Sequence, residues 1–91
     1  MALLNYKFRY SLKLSEDVKM LMSTLRTNNG VIARAVLFNR VNNEWVMLNK
    51  PTDCRIEVRN YQYYFRKRLP KNFKHLHSEL FYLDDFVEIQ H

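Results

Sequence analysis

The chain has 91 residues, 47% of them apolar and 26% charged, with a net charge of +6 and one cysteine. That length supports one domain around one core, the composition lies far from that of disordered chains, and a single thiol excludes an intrachain disulfide scaffold. No run nears the roughly 18 apolar residues of a membrane span, so no membrane partner and a reducing, cytoplasmic setting are expected.

Charge is unevenly spread. Residues 1–49 carry seven Lys/Arg against three Asp/Glu, residues 50–77 carry eight against two, and residues 78–91 carry four acids and no Lys or Arg. A basic body of this kind attracts polyanions or an acidic protein surface over long range. Abundant Asn, Lys, Tyr and Phe beside one Gly is a bias that AT-rich coding produces, as in phage and virus genomes.

Tyr6, Phe8, Tyr10, Leu12 and Leu14 alternate with Lys7, Arg9, Ser11 and Lys13, which predicts a half-buried first strand. Ser15 followed by Glu16 and Asp17 reads as a helix N-cap with a favourable acidic first turn. Val18, Leu21, Met22 and Leu25 then recur at helical spacing up to a stop at Asn28-Asn29-Gly30, so a helix is expected here.

Val31 to Val41 and Glu44 to Asn49 read as two strands around Asn42-Asn43, a pair that tolerates the positive φ of a tight hairpin. A two-residue turn places Val41 opposite Glu44, Arg40 opposite Trp45, Phe38 opposite Met47 and Val36 opposite Asn49. Ala33, Ala35, Leu37, Val46 and Leu48 then share the other, aliphatic face. After Pro51, Cys54, Ile56 and Val58 alternate with Arg55, Glu57 and Arg59, which predicts a fourth strand.

From Asn60 the pattern breaks. Tyr61, Tyr64 and Phe65 suit a short helix behind an Asn60 cap, and a bulged strand extension competes with it. Phe73, Leu76, His77 and Leu80 suggest a helix from about Asn72 to Leu83, with Phe86 to Gln90 as a closing strand. The expected fold is therefore one α+β domain over residues 1–91, in β-α-β-β-β-α order. Its antiparallel-rich sheet has four to five strands, with two or three helices packed on one face.

Helices over Leu12, Ala35, Leu37, Leu48, Ile56 and Val58 would leave the opposite face to Lys7, Arg9, Lys13, Arg34, Arg40, Arg55 and Arg59, together with Phe38, Trp45 and Met47. Cations neutralise phosphate and flat rings stack on unpaired bases, so this mixture suits single-stranded nucleic acid, RNA included. An ordinary solvated face with a local Arg40–Trp45 contact competes with that reading, although two large aromatics and a Met seldom stay together uncovered. The segment 59–74 is the second candidate, with six Lys/Arg and no acid. Arg59, Arg66, Lys67 and Arg68 would meet the anion there, and Tyr61 or Tyr63 would offer a stacking ring.

Nothing calls for catalysis. Two histidines, His75 and His77, with the remote Cys54 fit no standard zinc pattern, Asp84-Asp85 lacks partner groups for acid–base work, and one glycine cannot build a phosphate loop. No metal, cofactor or catalytic residue is expected. The leading expectation is a small non-enzymatic module that binds nucleic acid. The alternative is a protein-binding inhibitor or adaptor, of the phage or viral accessory type, anchored by Phe38, Trp45 and Met47 on an acidic site of a host protein. Self-association into a homo-oligomer through the open face or an edge strand is a third reading.

Overall fold

The computed structural model describes residues 8–90, and they form one antiparallel sheet of seven strands rather than an α+β layer. The strands are β1 Tyr10–Ser15, β2 Val18–Thr27, β3 Gly30–Val41, β4 Glu44–Arg59, β5 Gln62–Arg66, β6 Leu80–Tyr82 and β7 Val87–Glu88. Their spatial order is β6-β5-β4-β3-β2-β1-β7, so the first five strands form successive hairpins and the last two cap opposite edges. The expected helices are absent from the described residues. Helical structure is confined to two 3-10 turns of three residues each, at Lys71–Phe73 and Leu83–Asp85.

The connection between β6 and β7 dictates the shape. Laid flat, seven strands spaced by about 4.8 Å would hold the two edges about 29 Å apart. Only Leu83–Phe86 joins Tyr82 to Val87, and five extended peptide steps reach at most about 18 Å. The sheet must therefore curl into a half-barrel, which creates an inner and an outer face. A radius of gyration of 13.0 Å agrees with a wrapped rather than an open sheet.

The inner face is the main core. Val18, Met20 and Met22 of β2, Ala33, Ala35 and Leu37 of β3, Phe65 of β5 and Phe81 of β6 are buried there with Leu69 and Phe86. Tyr10, Leu12 and Leu14 of β1 and Leu48, Cys54 and Ile56 of β4 complete it, and Phe73 and Leu76 close one side. The aliphatic face expected for helices is thus covered by the curling sheet itself and by the segment after β5, except at Val46 and Val58, which are exposed.

The helix expected after Ser15 is β2 instead, for a physical reason. Val18, Met20 and Met22 point inward, while Leu21 on the outer side packs into a second cluster formed by Phe8, Val36, Phe38, Met47 and Ile89. A strand covered on both faces loses its polar alternation, and the residual apolar spacing imitates a helix. Ser15 caps a tight turn rather than a helix, its Oγ accepting from the Asp17 N–H. The helix expected from about Asn72 to Leu83 is likewise a 3-10 turn followed by β6, with Phe73 and Leu76 sealing the core from a loop.

Phe8 also departs from expectation. β1 starts at Tyr10, and Phe8 packs on the outer cluster rather than beside Tyr10 and Leu12. The crossing is fixed by the Arg9 N–H donating to Ser23 Oγ at 2.9 Å and by the Ile89 N–H donating to the Arg9 carbonyl at 2.8 Å.

The hairpin around Asn42-Asn43 forms as its turn residues require, with φ of 53° and 66° and with Arg40 opposite Trp45 and Phe38 opposite Met47. Register then shifts by two residues, because Leu37 faces Leu48 while Ala35 faces Thr52. Asn49, at φ 63°, Lys50 and Pro51 form a bulge there, so Val36 does not pair with Asn49 as a regular ladder would have it. An even-numbered bulge preserves side-chain parity, and Cys54 and Ile56 still point inward.

Candidate nucleic-acid interface

Cross-strand register puts Lys13 of β1, Lys19 of β2, Arg34 and Arg40 of β3, Arg55 and Arg59 of β4 and Arg66 of β5 on the outer face. Five consecutive strands therefore each contribute at least one cation to one surface. Lys13 and Lys19 are direct cross-strand partners, an arrangement that like charges disfavour unless an anion lies between or beside them.

Three ion pairs occur among the described residues: Lys13–Glu16 at 2.6 Å, Arg34–Asp53 at 2.7 Å and Arg40–Asp17 at 3.2 Å. Arg34 engages Asp53 at two points, Nε to Oδ1 and a terminal nitrogen to Oδ2 at 3.1 Å. That contact holds the Asp53 carboxyl below its ordinary range, against a smaller opposing effect of burial. Lys19, Arg55, Arg59 and Arg66 have no carboxylate partner among the described residues.

Trp45 is 38% exposed, and its ring holds two of the cations in place. Lys19 Nζ lies 4.2 Å and Arg40 Cζ 5.5 Å from the ring centroid, distances at which the ring quadrupole attracts cations. Together with Ser11, Lys13, Ser15 and Glu16 they line a shallow groove of about 250 Å³. Farther along the face, Arg59 Cζ lies 5.7 Å from the ring centroid of Tyr64, which is itself buried against Tyr82.

Phe38, placed on this surface by parity, is not available to a ligand. It is 8% exposed beneath Phe8, beside Val36 and Met47. The middle of the outer face is thus a small second core, and it separates the Trp45 groove from the arginines of β4 and β5. Lys7 lies outside the described residues, and Arg9 is exposed in the segment that crosses this core.

The second candidate segment is the β4–β5 hairpin and the loop after it. Ile56 to Arg59 pair with β5 after β3 has run out, so the hairpin overhangs the sheet. Tyr61 at its tip is fully exposed, and Val58 and Tyr63, a cross-strand pair, are about 60% exposed. Asn60 and Tyr61 form a two-residue turn at φ 51° and 66°, which resolves the competition between helix and strand in favour of strand. Arg66 and Arg68 are exposed, while Lys67 is half-buried on the inner side and donates to Thr52 Oγ1.

Sequence reasoning missed the contribution of Lys19, since a helix was expected there. The signal was present, because Lys19 alternates with Val18 and Met20 as a strand residue would. His77 is stacked on Phe81 with ring centroids 4.5 Å apart, and its Nδ1 lies 2.7 Å from the Ser78 carbonyl oxygen. Among the described residues no three His, Cys, Asp or Glu side chains gather as a metal site requires, and no helix is long and apolar enough to cross a membrane. No family model, curated protein or solved structure matches the chain.

Proposed function

We propose that this domain is a non-enzymatic module that holds a single-stranded nucleic acid against the outer face of its half-barrel. Phosphates meet Lys19 and Arg40 at the Trp45 groove and Arg55, Arg59 and Arg66 on β4 and β5. Exposed Tyr61 at the tip of the overhanging hairpin offers a ring to an unpaired base, while Tyr63, paired with Val58, points from the opposite side of the hairpin. One observation supports this reading most: cations from five consecutive strands share one face, and four of them lack a carboxylate partner among the described residues. The face also carries Asp53 and Glu57, but Asp53 is taken by Arg34 and Glu57 pairs with none of the described arginines around it, which leaves Arg55, Arg59 and Arg66 for phosphate.

Fluorescence anisotropy with a labelled oligonucleotide of about 15 nucleotides, a length suited to a small β-domain, tests the reading. Affinity should fall steeply from low to physiological salt as counterion release is lost. No binding at low ionic strength, or a flat salt response, refutes it.

A protein partner is the second reading, favoured by the exposed cluster of Val58, Tyr61 and Tyr63, since aromatic residues dominate protein-binding hot spots. It requires a partner that stays bound after nuclease treatment and is lost when Tyr61 and Tyr63 are both replaced by alanine.

A further inference from the structure

The inner side of the sheet carries a separate site. Where β4 bulges at Asn49, Lys50 and Pro51, a cleft of about 290 Å³ opens between that strand and the loop after β5. Its apolar wall comes from Leu37 and Leu69, both buried, with Leu48 and Pro70, and its cations are Lys50, Lys67 and Arg68. No acidic side chain lines it.

Lys67 is the decisive residue. Its Nζ donates to Thr52 Oγ1, which uses one of the three N–H groups of an ammonium. Among the described residues it has no ion-pair partner. A half-buried cation without a counter-charge is costly, and the cost is removed by an anion that occupies the remaining donors. The volume matches about ten water-sized groups, which is small for a ligand pocket. A polyanionic strand would gain nothing from buried leucines, whereas a molecule with a charged head and a short apolar body uses both halves of the cleft.

We infer that this cleft binds a small carboxylate with an apolar body, its head on Lys67 between Lys50 and Arg68 and its body against Leu48 and Leu69. The site is independent of the outer face, so either can fail without the other.

The test follows the leucine methyl signals of the full chain by NMR, with hexanoate as the probe. Leu37, Leu48 and Leu69 should shift saturably, with half-saturation at or below about 10 mM. Hexanamide, which keeps the body and loses the charge, should bind about tenfold more weakly, as a lost charge-assisted hydrogen bond implies. Inorganic phosphate, which keeps the charge and loses the body, should also bind more weakly than hexanoate. Lys67→Met should weaken hexanoate about tenfold, and Lys50→Met at the rim should weaken it less. Absence of saturable shifts, equal binding of hexanamide or of phosphate, or unchanged affinity in folded Lys67→Met each overturns the assignment. Were Lys67→Met to unfold, Lys50→Met and Arg68→Met replace it, and unchanged affinity in both is equally fatal.

Discussion

Asn60 and Tyr61 sit side by side in the two-residue turn between β4 and β5, and both occupy left-handed backbone, at φ 51° and 66°. Asn tolerates that region through its short polar side chain; a tyrosine does not, and glycine would suit the second position better. Tyr61 is fully exposed, so no packing within the described structure offsets the strain. Strain held by an exposed ring with no packing around it lowers stability.

Tyr61→Gly should therefore stabilise the fold by about 0.5–1 kcal/mol while weakening the oligonucleotide by about 1–3 kcal/mol if the ring stacks on a base. Urea midpoints and anisotropy on the same preparation check the two signs. An affinity unchanged in a stabilised variant would remove Tyr61 from the interface.

Phe38 and Trp45 point from the same face but belong to different classes. Phe38→Ala empties the second core between Phe8 and Met47 and should cost about 3–5 kcal/mol, a large share of the stability of a small domain. Trp45→Ala should cost less, because the ring is more than one-third exposed, and should weaken the oligonucleotide by releasing Lys19 and Arg40. Chemical denaturation ranks the stabilities, and a Trp45→Ala variant that binds normally contradicts the role of the groove.

Acid stability follows from Arg34 and Asp53. Arg34 holds the Asp53 carboxyl below its ordinary value of 3.8, so between the lowered folded value and 3.8 the unfolded chain binds more protons than the folded one. The stabilisation is present above 3.8 and disappears as pH falls through the folded value. Asp53 is about half exposed, and solvent screening keeps the contribution within about 1 kcal/mol. Asp53→Asn should lower stability slightly at neutral pH and flatten its fall below about pH 4 in pH-dependent urea titrations; an acid limb identical to that of the unsubstituted chain would show the pair to be inert.

Lys67 gives the opposite slope at the alkaline end. Burial pulls its ammonium below the ordinary 10.5, with Cys54 acting weakly the other way. The folded chain gives up this proton first, so stability rises as pH climbs through the lowered value and stops rising at 10.5. Lys67→Met should be the more stable protein at neutral pH, with that alkaline rise removed. Urea midpoints between neutral pH and about pH 10 decide it, and an unchanged alkaline limb in the variant means that Lys67 is fully solvated.

Some of this was legible in the residues and some was not. Asn42-Asn43 announced its hairpin, and strict alternation from Tyr10 to Leu14 announced β1, because both signals are local. The parity of Arg34, Arg40, Trp45, Arg55 and Arg59 followed from that register and survived the Asn49 bulge, which shifts by an even number. β2 was hidden because Leu21 is covered on the side where a solvated strand would be polar. The Asn60-Tyr61 turn was hidden because tyrosine is a poor choice for left-handed backbone. Burial of Phe38 depends on Phe8 and Ile89 crossing from the two ends of the described chain, and the curl depends on the four residues between β6 and β7. Neither long-range closure leaves a periodic trace.

The outer face as a phosphate-binding surface is tested most directly by the slope of log affinity against log salt, for the unsubstituted chain and for a variant with Arg55, Arg59 and Arg66 all replaced by alanine. Each phosphate contact on a single strand contributes about −0.7 to that slope, so the triple variant should bind more weakly with a slope shallower by about 2. A slope that stays the same in a folded triple variant would contradict the account.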